Sequence, residues 1–282
     1  MNLKFKTLAL GILLIPTAAK AQTVERPVLS AYAIEAGSAH VAETYLSPLR
    51  YSGTALALSY ERMQAMRFDP ERWVMRLDGR LQGSLTHNNP TRNTSMWNID
   101  LRIGWGMMRR FRFDSGWSVF AGGSTSADVG VFYLPKNSNN PAAAKASWTV
   151  NASAGAAFNT RIRRMPVCVR YLAELPLTGI FFSPQYGELY YEIYLGNHKG
   201  LVRGAWPGNY FRLNNLLTAD LRLGRTIVRL GYRCDIKSVK ASDIVTRHIE
   251  HTAVIGIASE WLSLSADRKA PLEKAKMISA LY

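Results

Sequence analysis

The segment from Trp73 to Thr86, WVMRLDGRLQGSLT, alternates apolar and polar residues. Every second residue from Trp73 is uncharged, whereas the intervening positions include Arg76, Asp78 and Arg80. A period of two is typical of a β-strand, whose side chains point alternately to opposite faces. At about 3.3 Å per residue and a tilt near 40°, the segment would extend about 35 Å along a barrel axis, enough to cross a membrane. It therefore predicts a long strand with one apolar and one polar face.

The same alternation recurs along the chain and predicts about ten strands. The predicted strands are Val28 to His40, Gly53 to Met63, Trp73 to Thr86, Trp97 to Met107, Trp117 to Tyr133, Trp148 to Phe158, Val167 to Leu175, Leu217 to Leu223, Val228 to Ile236 and Thr252 to Leu264. A further hairpin after Leu177 would raise the number to twelve.

The predicted connections alternate in length. Short ones lie near residues 109–116, 161–166 and 224–226. Longer ones lie at residues 134–146, 181–209 and 239–247. Short turns on one side and long loops on the other are typical of outer-membrane barrels, whose short turns are periplasmic.

Two folds compete for this pattern, a soluble antiparallel sandwich and a membrane barrel. The longest predicted strands greatly exceed the 5 or 6 residues that are usual in globular sheets, at roughly twice that length or more. The apolar faces also carry no charge, as a lipid-facing wall requires. We therefore expect an all-β chain that folds as a single antiparallel up-and-down transmembrane β-barrel of about ten strands.

The polar faces carry both charge signs, which predicts a lumen filled by ion pairs and no wide channel. The predicted lumen residues are Arg76, Asp78, Arg80, Asp100, Arg102, Arg170, Glu174, Asp220, Arg222, Arg229, Arg233, Asp235 and Glu260.

The first residues have the order of a secretory signal peptide. Lys4 and Lys6 precede the apolar run Leu8 to Ile15, and small residues follow up to Ala21. We expect a signal peptide at residues 1–21, a barrel at 22–264 and a tail at 265–282. Loss of the signal peptide would lower the formal charge from +15 to +12, because it holds three lysines. Nucleic acid is not expected as a partner of an exported chain without a recognisable binding motif.

The segment from Phe181 to Gly200, FFSPQYGELYYEIYLGNHKG, breaks the alternation and concentrates aromatic and acidic residues. Aromatic rings beside carboxylates can bind sugars or lipid head groups, which suggests a binding loop. The alternative is a loop folded over the barrel mouth or an irregular strand with an aromatic girdle. The candidate ligand-binding residues are Tyr186, Glu188, Tyr190, Tyr191, Glu192 and His198.

Few residues indicate catalysis. Activation of a serine needs a histidine within hydrogen-bond reach, and the His-x-Ser spacing of known barrel lipases is absent. His248 and His251 are three residues apart, which on a strand places them on opposite faces, so a shared metal is not expected. Cys168 is predicted to point inward and Cys234 outward, without a disulfide between them. We expect no catalytic residue, metal or cofactor.

The tail is basic up to Pro271 and continues as LEKAKMISALY. It could form a short helix or a disordered end. A third possibility is a terminal strand from Lys276 to Tyr282, which would change the strand number.

Three stretches, ERPVLSAYAIEAGSAHVAETYLSPLRYSG, SYERMQAM and FFSPQYGELYYEIYLGN, resemble an uncharacterised outer-membrane barrel family of Bacteroidota, known as a domain of unknown function. The resemblance implies an outer-membrane location and assigns no catalytic residue. The expected partners are outer-membrane lipid, lipopolysaccharide and the barrel-assembly machinery. A structural or surface-binding role is the leading hypothesis, with a lipid- or lipopolysaccharide-modifying enzyme and a narrow-channel transporter as alternatives.

Overall fold

The computed structural model describes residues 24–89, 91–138, 140–185, 187, 189–196, 198–224, 226–262 and 276–281. The predicted signal peptide at residues 1–21 lies outside the described residues. The elements in chain order are β1 (Val24–Glu25), β2 (Val28–Glu43), β3 (Arg50–Ala65), β4 (Trp73–Asn88), β5 (Ser95–Arg112), β6 (Trp117–Tyr133), β7 (Ala142–Ile162), β8 (Met165–Phe182), α1 (Tyr190–Tyr194), β9 (Val202–Ala205), β10 (Tyr210–Leu223), β11 (Thr226–Ala241), β12 (Ile244–Trp261) and β13 (Lys276–Met277).

Ten of these strands form a closed antiparallel barrel, as predicted. Each strand from β2 to β8 pairs with its sequence neighbour, and β10, β11 and β12 continue the same order. The ring closes on one side where β12 pairs with β2 and on the other where β10 pairs with β8. The barrel strands are 14 to 21 residues long, so they are membrane-spanning in length.

The segment after Leu177 does not add a hairpin to the wall, so the twelve-strand alternative is wrong. Strand β8 continues to Phe182, and the short helix α1 follows. Strand β9 pairs only with the last residues of β8 and lies outside the ring.

Several strands extend beyond the predicted ends. The predicted long connection at residues 239–247 is wrong, because β11 and β12 continue into a tight turn at Ser242 and Asp243. Residues 142–146, predicted as loop, likewise belong to β7. Beyond the apolar belt the outer face no longer needs apolar side chains, so the alternation fades while the backbone ladder continues.

The outer wall of the barrel is apolar and exposed. Ile34 is 62% exposed, and Leu56, Val129 and Ile255 are each 63% exposed. A sandwich would bury such a face against a second sheet, so the closed ring excludes that alternative. Aromatic residues border the belt at both ends; Trp97 and Tyr133 are cross-strand partners at one end, and the rings of Trp117 and Phe158 lie 4.8 Å apart at the other.

We call the end with the 183–209 connection the loop end and the opposite end, with β1 and β13, the turn end. At the turn end β1 and β13 form a parallel two-stranded sheet. Ile278, Ala280 and Leu281 are buried there. The terminal-strand possibility is therefore wrong, because residues 276–281 close the floor of the barrel and do not enter its wall; residues 263–275 and Tyr282 lie outside the described residues.

Among the described residues, no helix is long and apolar enough to cross a membrane.

Candidate functional site

The lumen is filled by charged side chains that alternate with the lipid-facing residues along each strand. Its lower layer centres on Glu61, whose carboxylate accepts hydrogen bonds from Arg76 at 2.8 Å, Arg170 at 2.5 Å and Arg229 at 2.7 Å. Glu174 joins this layer, accepting from Arg76 at 3.1 Å. Three strands or more meet at each carboxylate, so the layer links opposite walls of the barrel.

A second layer lies nearer the loop end. Glu35 accepts from Arg80 at 2.9 Å and from Arg233 at 3.1 Å, and Glu250 also accepts from Arg80 at 2.9 Å. All four side chains are buried. Charges taken out of water in this way must be paired to remain ionised, and the pairing leaves no open path along the axis.

A third group lies above these layers. Arg212 donates to Asp235 at 2.6 Å and also pairs with Asp128. Asp100 and Lys237 lie beside this group and are half-buried.

The predicted lumen residues all point inward. Ten of them are buried, namely Arg76, Asp78, Arg80, Arg102, Arg170, Glu174, Asp220, Arg229, Arg233 and Asp235. Asp100, Arg222 and Glu260 are half-buried, and Arg222 pairs with Glu260 at 2.5 Å near the turn end. The alternation also places Glu35, Glu61 and Asp128 on the polar face, whereas Arg212 and Glu250 lie outside the predicted strands and were missed.

A narrow cavity remains between the ion pairs and the loop end. Its lining includes Asp100, Lys237, His248 and Tyr210, and the centres of water-sized molecules can occupy about 30 Å³ of it. The Lys237 ammonium lies 5.7 Å from the centroid of the Tyr210 ring. This volume holds a few waters and no larger ligand.

The mouth above the cavity is covered by an apolar cluster. Its buried members are Val41, Leu46, Tyr51, Met96, Phe132, Leu134 and Ala143. Together with the buried C-terminal segment at the turn end, this cluster closes the barrel at both ends.

The described residues of the predicted binding segment lie at the loop end, and those among them that were predicted to bind a ligand have different surroundings. Tyr190 turns inward: its ring meets Tyr45 edge-on at 6.0 Å, and its hydroxyl accepts a hydrogen bond from the Ala144 amide at 2.6 Å. Burial raises the pKa of the Tyr190 phenol, so the hydroxyl stays protonated at neutral pH. Its role is thus to fasten α1 to the barrel.

Of the other described candidate residues, one caps the helix α1 and two are exposed to solvent. The Glu192 carboxylate accepts a hydrogen bond from the Leu189 amide at 3.0 Å, which caps the start of α1. Tyr191 is 66% exposed, and His198 is exposed. Tyr186 and Glu188 lie outside the described residues.

A serine and a histidine meet on the outer wall, a pair that the sequence analysis missed. His40 on β2 and Ser52 on β3 are cross-strand partners, and His40 Nδ1 lies 3.1 Å from Ser52 Oγ. The Asn89 side-chain amide donates to the same oxygen at 2.7 Å. The register of the β2–β3 hairpin brings His40 and Ser52 together, and the sequence alone does not specify that register. Within the described residues the His40 ring has no carboxylate partner.

Cys168 and Cys234 are both free, as predicted, with Cys168 buried. Within the described part of the chain, no group of three or more His, Cys, Asp or Glu side chains could hold a metal ion.

Similar solved structures are outer-membrane barrels at very low sequence identity. The transport unit of the autotransporter AIDA-I from Escherichia coli matches with a TM-score of 0.45 and 9% identity, covering 89% of this chain and 94% of that one. The outer membrane protease OmpT from Escherichia coli matches with a TM-score of 0.42 and 6% identity, over 85% and 97%. The outer membrane protein OprG from Pseudomonas aeruginosa matches with a TM-score of 0.33 and 9% identity, over 86% and 99%.

No curated protein matches the sequence. The family described as "Protein of unknown function (DUF3316)" matches residues 6–268, nearly the whole chain. The resemblance to a family of unknown function is thereby confirmed, and the chain belongs to the DUF3316 family.

Proposed function

We propose that this protein is a resident outer-membrane β-barrel that acts through its surfaces and does not conduct solutes. The observation that carries the proposal is the sealed lumen: layers of buried ion pairs cross it, and apolar clusters cover both ends. The exposed apolar belt supports the membrane location, because such a wall is stable only against lipid. The signal peptide expected at residues 1–21 would supply the export route.

The loop end is the surface through which we expect the protein to bind other molecules. The exposed Tyr191 and His198 belong to the predicted binding segment, together with Tyr186, Glu188, Tyr190 and Glu192. We propose lipopolysaccharide as the molecule that contacts this end and the barrel-assembly machinery as the partner during insertion. An origin in Bacteroidota remains a prediction that rests on the resemblance alone.

Cell fractionation and gel migration test the location. The protein should appear in the outer-membrane fraction and migrate differently on a gel before and after heating, as folded barrels do. Recovery as a soluble periplasmic protein would overturn the proposal.

A second candidate function is hydrolysis of lipid esters on the outer wall, which the pair of His40 and Ser52 favours. Ser52 would attack the ester carbonyl while His40 accepts its proton, and His40 would return that proton to the leaving lipid alcohol. Water, giving a proton to His40, would then attack the acyl-serine, releasing the fatty acid while His40 returns the proton to Ser52. The exposed position of His40 gives access to lipid. The orienting acid of a complete triad is absent from the described residues, so we rank this function second.

Mass spectrometry of lipid A and phospholipids distinguishes the two candidates. Cells that express the wild-type chain should differ in acylation from cells that express Ser52→Ala, whereas Ser38→Ala, on the same outer face of β2, should behave like wild type. Identical lipids in all three strains would exclude the hydrolase.

A further inference from the structure

An open groove rich in arginine lies on the outer wall at the turn end. We call it the arginine groove and define it by Arg72, Arg109, Phe111, Arg112, Phe113 and Val119. Glu71 and Arg110 complete its lining. The centres of water-sized molecules can occupy about 610 Å³ of it, far more than in the lumen cavity.

The groove is held open by a rigid scaffold. Arg110 points inward and donates to the carbonyl oxygens of Pro70 and Glu71, each at 3.0 Å. Its backbone amide also donates to the carbonyl of Arg72 at 2.5 Å. The β3–β4 connection is thereby fastened beside the end of β5, so the groove exists before any ligand enters.

Two cations of the groove face outward. The side chains of Arg72 and Arg109 are exposed, and among the described residues neither forms an ion pair within 4.0 Å of a carboxylate. The Arg109 guanidinium lies 5.2 Å from the centroid of the Phe111 ring, which positions it over the apolar wall. Arginine offers a planar fork of donors that matches a phosphate group.

The wall beside these cations is apolar. Phe111 and Val119 are cross-strand partners on the outer face and are 42% and 39% exposed, and Phe113 is 55% exposed. A ligand that contacts both the arginines and the apolar wall therefore has an anionic head group beside the arginines and an acyl chain along the wall.

The charge of the turn end complements such a ligand. Residues 66–72, 109–116 and 161–166 contain eight arginines and three acidic residues. Anionic lipid surfaces attract such a cluster of basic side chains.

We infer that the arginine groove binds the phosphate head of an anionic glycerophospholipid in the periplasmic leaflet. The inference rests on the proposed outer-membrane location, which places the turn end at that leaflet. Arg72 and Arg109 would hold the phosphate, and Phe111, Phe113 and Val119 would contact the upper part of one acyl chain.

Native mass spectrometry of the full chain in detergent tests the site, with phosphatidylglycerol as the probe and diacylglycerol, which lacks phosphate, as the comparison. Wild type should retain phosphatidylglycerol and not diacylglycerol. The variant Arg72→Gln/Arg109→Gln should bind phosphatidylglycerol about tenfold more weakly, because two charge-assisted contacts are lost.

The matched control is Arg161→Gln/Arg164→Gln, which removes the same charge from the same end away from the groove. It should change the affinity less than about twofold. Equal losses of affinity for phosphatidylglycerol in both double variants would overturn the site, because the loss would then reflect only the reduced positive charge of the turn end. Full competition by an equal concentration of inorganic phosphate would also overturn it, because the apolar wall would then contribute nothing.

Folding and location are checked separately by heat-modifiable migration of each variant. If the glutamine variant does not fold, Phe111→Ser provides an independent test, since loss of the apolar wall should also weaken phosphatidylglycerol binding. A wild-type chain that inserts into membranes but binds phosphatidylglycerol no better than diacylglycerol overturns only the lipid site. A chain that remains soluble overturns the proposed function instead.

Discussion

At the scale of single residues, Glu61 shows how the barrel interior is organised. Its carboxylate faces three guanidinium groups, from Arg76, Arg170 and Arg229. A buried ion pair adds little net stability over a well-packed apolar core, because desolvation offsets the attraction between charges. Removal of one partner is different, since the remaining charges stay buried without compensation.

We expect Glu61→Ala to lower the free energy of unfolding by about 3 to 5 kcal/mol, because three guanidinium groups lose their shared carboxylate. Urea unfolding of the refolded protein in lipid vesicles would measure the change. Asp114→Ala, an exposed turn residue, is the control and should shift the free energy by less than about 0.5 kcal/mol. Equal stability of both variants would contradict the assignment of Glu61 to a buried network.

At the scale of elements, the two ends of the barrel are closed by different means. The turn end is closed by the C-terminal segment, whose Ser279 and Ala280 carbonyl oxygens accept hydrogen bonds from Arg110 at 2.6 and 2.7 Å. The Asn159 side-chain amide also donates to the Leu281 carbonyl at 2.8 Å. The loop end is closed by apolar residues at the ends of β2, β3, β5, β6 and β7, together with Leu46 and Leu134, and α1 is fastened through Tyr190.

Replacement of Arg110 should release the C-terminal segment. Arg110→Met keeps an apolar stem of similar length but removes the Arg110 donors to Ser279 and Ala280, while Arg112 still donates to Ser279 at 3.4 Å. We expect residues 276–281 to become accessible to carboxypeptidase in the variant and to remain protected in wild type and in Arg164→Gln. Unchanged protection in Arg110→Met would show that burial of Ile278 and Leu281 alone holds the segment.

Loss of the Tyr190 hydroxyl should loosen the attachment of α1. In Tyr190→Phe the Ala144 amide loses its acceptor, which costs about 1 kcal/mol and speeds local hydrogen exchange of that amide about fivefold. Tyr194→Phe is the matched control, because Tyr194 is 84% exposed. Hydrogen exchange followed by mass spectrometry or NMR would distinguish them, and equal exchange in both variants would argue against the bond.

At the scale of the whole molecule, more than one barrier blocks the axis of the barrel. The axial path is interrupted by the C-terminal segment, by the ion-pair layers around Glu61 and Glu35, and by the apolar cluster at the loop end. Each barrier is made of different side chains, so the loss of one leaves the others in place.

We therefore expect no discrete conductance steps from the wild-type protein in planar bilayers. A variant that lacks residues 276–281 should also remain closed, because the ion-pair layers still fill the lumen. A general porin from the outer membrane serves as the positive control. Stepwise currents from wild type would contradict the sealed barrel and revive the narrow-channel alternative.

The sequence by itself determined the barrel and the polarity of its two faces, and it predicted about ten strands, with twelve left open until the structure showed ten. Alternation at period two appears directly in segments such as Trp73 to Thr86, because each side chain's direction follows from its place along the strand. The same rule predicted correctly that Arg76, Asp78 and Arg80 face the lumen. It could not predict the last residues of β11 and the first residues of β12, because the outer face needs no apolar side chains beyond the apolar belt.

Only the tertiary structure decided which side chains meet. The pair of Arg80 with Glu250 depends on closure of the ring, which joins residues far apart in sequence, and the pair of His40 with Ser52 depends on the register of the β2–β3 hairpin. The position of residues 276–281 in the barrel floor likewise depends on Arg110. Its guanidinium donates to backbone carbonyl oxygens, and because every residue has such an oxygen, the sequence gives no sign of this contact. Alternation gives the direction of a side chain, whereas its partner is set by the packing of the closed barrel.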